Sequence, residues 1–283
     1  TINSITIGKG ANSASGNTVV GEGALDASVS GTFNTAIGKA TLTSLTSGSQ
    51  NTAVGGNSLK LNTTGSGNTS VGVNSLDANS TGSNNTAVGL ASLTENTAGA
   101  NNTAVGKQAL NQNSTASNNT AFGFEALKAN TTATQNTAVG TSALSVNTTG
   151  IQNVAVGSNA LDANTTASFN TAIGHQAMGA TNTGSGNVAV GSYAMEANTT
   201  GESNVAVGVN ALEDATTATN NTAIGRFALR VNTTGIQNTA VGANALDANT
   251  TGGNGVAIGY HALTANTTGG NNIGIGFHAL AAN

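Results

Sequence analysis

The chain contains no cysteine, no proline and no tryptophan, and only 6% of its residues are charged. Without cysteine there is no disulfide framework and no thiolate ligand or nucleophile. That absence assigns no compartment, because secreted proteins need not carry disulfides. Seven Lys and Arg against 11 Asp and Glu, a formal charge of -4, leave no electrostatic footprint for nucleic acid or for an anionic membrane. No apolar run approaches spanning length and no charged-then-apolar signal opens the chain, so this segment is expected not to insert into a membrane. Low charge combined with much Gly, Ser, Asn and Thr is also the composition of flexible low-complexity chains. Against disorder stands the placement of Val, Ile and Leu, which a chain that never packs has no physical reason to keep in phase.

What is present is one phrase repeated. A glycine closing a Val-, Ile- or Phe-ended strand recurs at Gly21, Gly38, Gly55 and so on to Gly276, and all fifteen intervals are 17 residues. An unbroken short period is the signature of coils stacked along an axis. The expected fold is all-β: a parallel β-solenoid, or β-roll, of sixteen 17-residue coils over residues 17–283. An irregular N-terminal coil or cap occupies residues 1–16. The phrase Ser4-Ile5-Thr6-Ile7-Gly8 lies only 13 residues before Gly21, which predicts a shorter first coil.

Position by position the coil is conservative. Its strand glycine, represented by Gly106, Gly123, Gly140 and Gly157, never varies, so either a side chain is excluded there or φ is positive. The link glycine gives way to Ala116, Ala133, Ala167 and Ala218, so that turn does not demand a positive φ. Four residues after the strand glycine comes Leu, or Met at Met178 and Met195. The Ala-Leu corner, as in Glu125 to Asn130, is too short for a stable helix and is expected to form at most one 3₁₀ or α turn.

Within the strand, the branched residue before glycine and the Thr or Val two positions earlier share a face, and the residue between them is nearly always Ala. Such a smooth methyl face fits close approach to another chain. The row Thr52, Thr69, Thr86, Thr103 and Thr120 alternates with Val154 and Val188 in later coils and is read as inward, whereas Thr63, Thr148 and Thr233 in the link are read as exposed. Two rows of asparagine, one at the coil entrance and one in the link, are expected to form amide ladders and turn bonds.

Chemistry is sparse. His261 and His278 share a coil position and are expected to stack about 5 Å apart, but two imidazoles without a third ligand row do not make a metal site. Asp26, Asp77, Asp162 and Asp247 share another position several coils apart and cannot form a close acid/base pair. No nucleophile triad, phosphate loop or dinucleotide fingerprint occurs. The expectation is no catalytic residue, no cofactor, no metal and no enzyme. Tyr260 and Phe277, beside His261 and His278, are the nearest thing to a contact patch, with local packing at the end of the coil stack as the competing reading.

The phrase Asn-Thr-Ala-Val-Gly-x-x-Ala-Leu, and its variants Asn187-Val188-Ala189-Val190-Gly191 and Gly255-Val256-Ala257-Ile258-Gly259, resembles the head repeats of trimeric autotransporter adhesins. It is also similar to repeats in tail-fibre and surface-fibre proteins of phages and large viruses. The resemblance implies three chains, each a left-handed β-roll, packed side by side as a homotrimer or self-assembled fibre. It implies a core filled by Val105 and Leu110, and by Val139 and Leu144, with the alanine face turned to a neighbour. It further implies an extracellular, non-enzymatic rod on a bacterial surface or virion that attaches to a host surface, matrix or glycan. The 17-residue period is longer than the usual head repeat, and the Asn-Thr-Thr-Gly link is not its standard connection. An ice-binding or carbohydrate-binding solenoid, using the threonine rows, is the alternative.

Overall fold

The computed structural model describes residues 6–10 and 14–282 and contains strands and turns but no helix among them. The chain forms two compact units, Thr1–Ala138 and Val139–Asn283. In the first unit lie β1 (Thr6–Gly8), β2 (Thr18–Gly21), β3 (Thr35–Ile37), β4 (Thr52–Val54), β5 (Thr69–Val71), β6 (Thr86–Val88), β7 (Thr103–Val105) and β8 (Thr120–Phe122). The unit boundary falls inside β9 (Thr137–Val139). The second unit holds β10 (Val154–Val156), β11 (Thr171–Ile173), β12 (Val188–Val190), β13 (Val205–Val207), β14 (Thr222–Ile224), β15 (Thr239–Val241), β16 (Val256–Ile258) and β17 (Ile273–Ile275).

Each unit is a β-solenoid with one short strand per coil. Successive strands pair in parallel with a register of 17, so that like residues align: Thr52 on Thr69 in the first unit, Val188 on Val205 in the second. The exception is β1, which runs antiparallel to β2, with Ile7 opposite Val20. The N-terminal segment therefore folds back across the edge of the first coil instead of forming a shorter coil of the same winding. Ser4, Ile5, residues 11–13 and Asn283 lie outside the described residues.

The strands stop after three residues because of their glycine. Gly106 has φ 134° and Gly140 has φ 133°, a backbone conformation that L side chains rarely adopt. A β-carbon on Gly106 would come 2.3 Å from the carbonyl oxygen of Gly123, and one on Gly140 would come 2.5 Å from that of Gly157. Both reasons for glycine thus hold together. Alanine in the link is tolerated as expected, since Ala116, Ala133, Ala167 and Ala218 are not among the residues with positive φ.

The Ala-Leu corner is not a right-handed helical turn. The second residue after glycine and the leucine are both left-handed, as in Gln108 (φ 59°) and Leu110 (φ 49°). The turn closes by hydrogen bonds such as Ala109 N–H to Gly106 O at 3.3 Å and Asn113 N–H to Leu110 O at 3.2 Å. A positive φ at the third residue of a four-residue turn favours Asn, which occupies it at Asn57, Asn74, Asn159, Asn210 and Asn244.

The strand faces are the reverse of the expectation. Ala104, Ala121, Ala172 and Ala206 are fully buried, as is the leucine row including Leu110 and Leu144. Val105 and Val139 are only half-buried, and Ile173 and Phe122 are exposed. The alanine methyl points into the coil and the branched residue points out, with the Thr52 to Thr120 row beside it on the same outer face. Volume is the reason. Most coil interiors already hold one Leu or Met and two asparagine side chains, and at close packing the strand has room for little more than a methyl.

Both asparagine rows are buried and structural. Asn51 accepts at Oδ1 from the backbone N–H of Asn68 at 3.0 Å and donates through Nδ2 to Gly65 O at 2.9 Å. In the link row, Asn79 donates to Asn62 Oδ1 and to Gly82 O, each at 2.9 Å. The link threonines read as exposed are instead committed to the ladder: Thr63 donates to Ser80 O at 2.9 Å and Thr233 to Thr250 O at 3.1 Å. Their successors Thr64, Thr149 and Thr234 are the exposed ones.

Candidate recognition edge

The rows that carry almost all of the charge lie on the corner following each strand glycine. Every charged residue except Glu202, and all three histidines, fall within six residues after a strand-closing glycine. Reading the residue after Leu or Met in register through the second unit gives Ser145, Asp162, Gly179, Glu196, Glu213, Arg230, Asp247, Thr264 and Ala281. Matching Asp with Asp alone hides Glu196 and Glu213, which the 17-residue spacing places in the same row as Asp162.

Neighbours along this edge interact. Arg230 Nε donates to Asp247 Oδ1 at 2.9 Å, and the Arg230 and Arg226 guanidinium groups lie 5.2 and 4.2 Å from the Phe227 ring centre. In the first unit, Lys128 pairs with Glu125 at 2.9 Å across one corner and Lys39 with Glu22 at 3.2 Å between coils. Burial pushes the Asp77 carboxyl above its ordinary range, with the Lys60 charge opposing. Burial likewise raises Asp162, against its backbone hydrogen bonds. Glu196 is raised by burial first and then by the carboxylates of Glu213 and Asp214, with His175 opposing.

A cleft of about 360 Å³ opens where this row has no side chain. Gly179 forms its centre, Asp162 and Glu196 its two walls, Gln176 one end, and Ala180 and Ala197 its apolar lining. Gly179 is not held by a positive φ, and a β-carbon there would make ordinary contacts with the Gln176 carbonyl at 3.5 Å, Asp162 Oδ1 at 3.6 Å and Gln176 Cβ at 3.9 Å. His175 and Tyr193 stand next to it in an edge-to-face pair, 5.3 Å between centres.

The aromatic patch expected near the end of the repeat also forms. Tyr260 and Phe277 stack at 5.7 Å, and His261 and His278 stack at 5.1 Å with planes 10° apart. Asn244 Nδ2 lies 3.0 Å from His261 Nε2. The rings stack on one another as successive rungs, with Phe277 76% exposed on the last of them. Among the described residues no group of three His, Cys, Asp or Glu side chains is placed to hold a metal ion, and no helix is long and apolar enough to cross a membrane. Comparison with family models and with curated proteins gives no match.

Proposed function

We propose that this chain is a non-enzymatic, extracellular structural segment of a fibre or adhesin head, on a bacterial surface or a virion, that self-assembles as a homotrimer and presents a rigid surface for attachment. The observation that carries the reading is the outer strand face. Its two in-register rows consist of Thr, Val, Ile and Phe with no charged residue in any coil, and Ile173, Ile224 and Ile258 are each about two-fifths exposed. Uncharged branched rows recurring at a strand spacing of about 4.8 Å give every coil the same apolar profile, so that a second copy can meet them coil by coil. The resemblance to adhesin-head and fibre repeats points the same way. In this assembly the Thr/Val face, not the alanine face, lies between chains. Absolute mass by light scattering tests it: about three times the 27.3 kDa chain mass supports the trimer, and a 27.3 kDa particle overturns it.

A second reading gains from the outward Thr row. Thr and Val on one strand lie roughly 6.6 Å apart and recur about every 4.8 Å along the sheet, a flat lattice of hydroxyls and methyls suited to ice or to a regular polysaccharide. Ice crystals growing unmodified at micromolar protein would reject ice binding.

A further inference from the structure

The cleft over Gly179 arises where one coil lacks the side chain that the coils on either side carry as Asp162 and Glu196. Loss of one side chain from a ladder opens a gap of roughly two strand spacings, about 9.6 Å, between the backbones carrying Asp162 and Glu196. At about 360 Å³, it falls at the low end of the ~300–1,000 Å³ typical of small-ligand sites. Its walls accept hydrogen bonds, Gln176 both donates and accepts, and the Ala180 and Ala197 methyls line it with apolar surface. Hydroxyl groups flanking a C–H face match that lining. An anionic ligand meets repulsion from Asp162, Glu196, Glu213 and Asp214, whereas a neutral polyol hydrogen-bonds to carboxyl groups in either protonation state.

We propose that this cleft is a subsite for a neutral glycan, seating one sugar ring over Gly179 between the Asp162 and Glu196 carboxyls. The inference rests on the attachment role proposed above and names its ligand class. It does not depend on the trimer.

The test titrates the full chain, by calorimetry, with defined neutral oligosaccharides of glucose, galactose and N-acetylglucosamine, with uronate-bearing counterparts, and with a lysine tetrapeptide. Saturable binding of a neutral glycan is expected, weakened about tenfold or more in the uronate form. Gly179→Leu fills the cleft at a position where a β-carbon fits, so it is expected to fold as the parent, checked by circular dichroism, and to bind about tenfold or more weakly. Glu196→Gln retains an acceptor and is expected to stay within about threefold. Absence of binding to every neutral glycan, or parent-like binding by Gly179→Leu, overturns the proposal. So does tight binding of the lysine peptide that Glu196→Gln abolishes, which would make this a cation site. Light scattering on the same samples keeps the questions apart: a trimer that binds no glycan sinks the cleft and leaves the fibre, and a glycan-binding monomer does the reverse.

Discussion

Asn79 donates through Nδ2 to Oδ1 of Asn62, one coil earlier, at 2.9 Å, and its own Oδ1 accepts from Asn96 Nδ2 at 2.8 Å. Asn79 is thus both donor and acceptor in a chain of buried amides, as is Asn96 beside it. Replacing Asn79 by alanine removes its bond to Gly82 O as well and leaves the buried Oδ1 of Asn62 without its donor. Asn79→Ala is expected to lower unfolding stability by about 2–4 kcal/mol, measured by chemical denaturation.

The same ladder has two breaks that substitution is expected to repair. Where the row reads Thr181 and Ala215 in place of Asn, Asn164 Oδ1 and Asn198 Oδ1 have no hydrogen-bond partner. Thr181→Asn supplies a donor to the first of these and is expected to raise stability by about 1 kcal/mol. A lower melting temperature would show that the coil cannot seat the amide.

Two glycines to alanine separate necessity from habit. Gly140→Ala forces a side chain onto a backbone at φ 133° and against Gly157 O, and is expected to cost about 3 kcal/mol or more. At Gly56 a β-carbon meets nothing within 4 Å and φ is not positive. There alanine is expected to be neutral or to stabilise by up to about 1 kcal/mol. Thermal melts of both variants decide it.

Adjacent strand positions are expected to respond oppositely. Ala172→Val pushes two methyls into a filled coil and is expected to cost about 1–3 kcal/mol. Ile173→Lys, on the outer face, is expected to fold normally but to reduce the light-scattering mass towards 27.3 kDa.

Acid is expected to stabilise the fold locally. For Asp77, Asp162 and Glu196 burial raises the folded-state carboxyl above its ordinary value. Between those ordinary values and the raised ones the folded chain holds more protons than the unfolded chain, so stability falls as pH rises through that window and is recovered on acidification. Melting followed from pH 7 down to pH 4 in the parent and in Asp77→Asn checks the sign. The variant should show a shallower rise than the parent.

How far the sequence carries can be judged residue by residue. The period, the register of Thr52 on Thr69, the invariance of Gly106 and the stacking of His261 on His278 follow from the spacing alone, because in a parallel ladder like must align with like. The row holding Asp162, Gly179 and Glu196 was equally legible, but only when read by position and not by residue type. The direction of the strand faces was not. A three-residue strand turns its middle side chain to one face and its outer two to the other, and the pattern is the same whichever face is inward, because β-branched residues suit both. One clue lay in Phe122, since a position that accepts Val, Ile and Phe is less confined than one that is almost always Ala. Tertiary structure decided the matter: the volume left beside Leu110 and the paired asparagines admits the methyl of Ala104, so Val105 faces out.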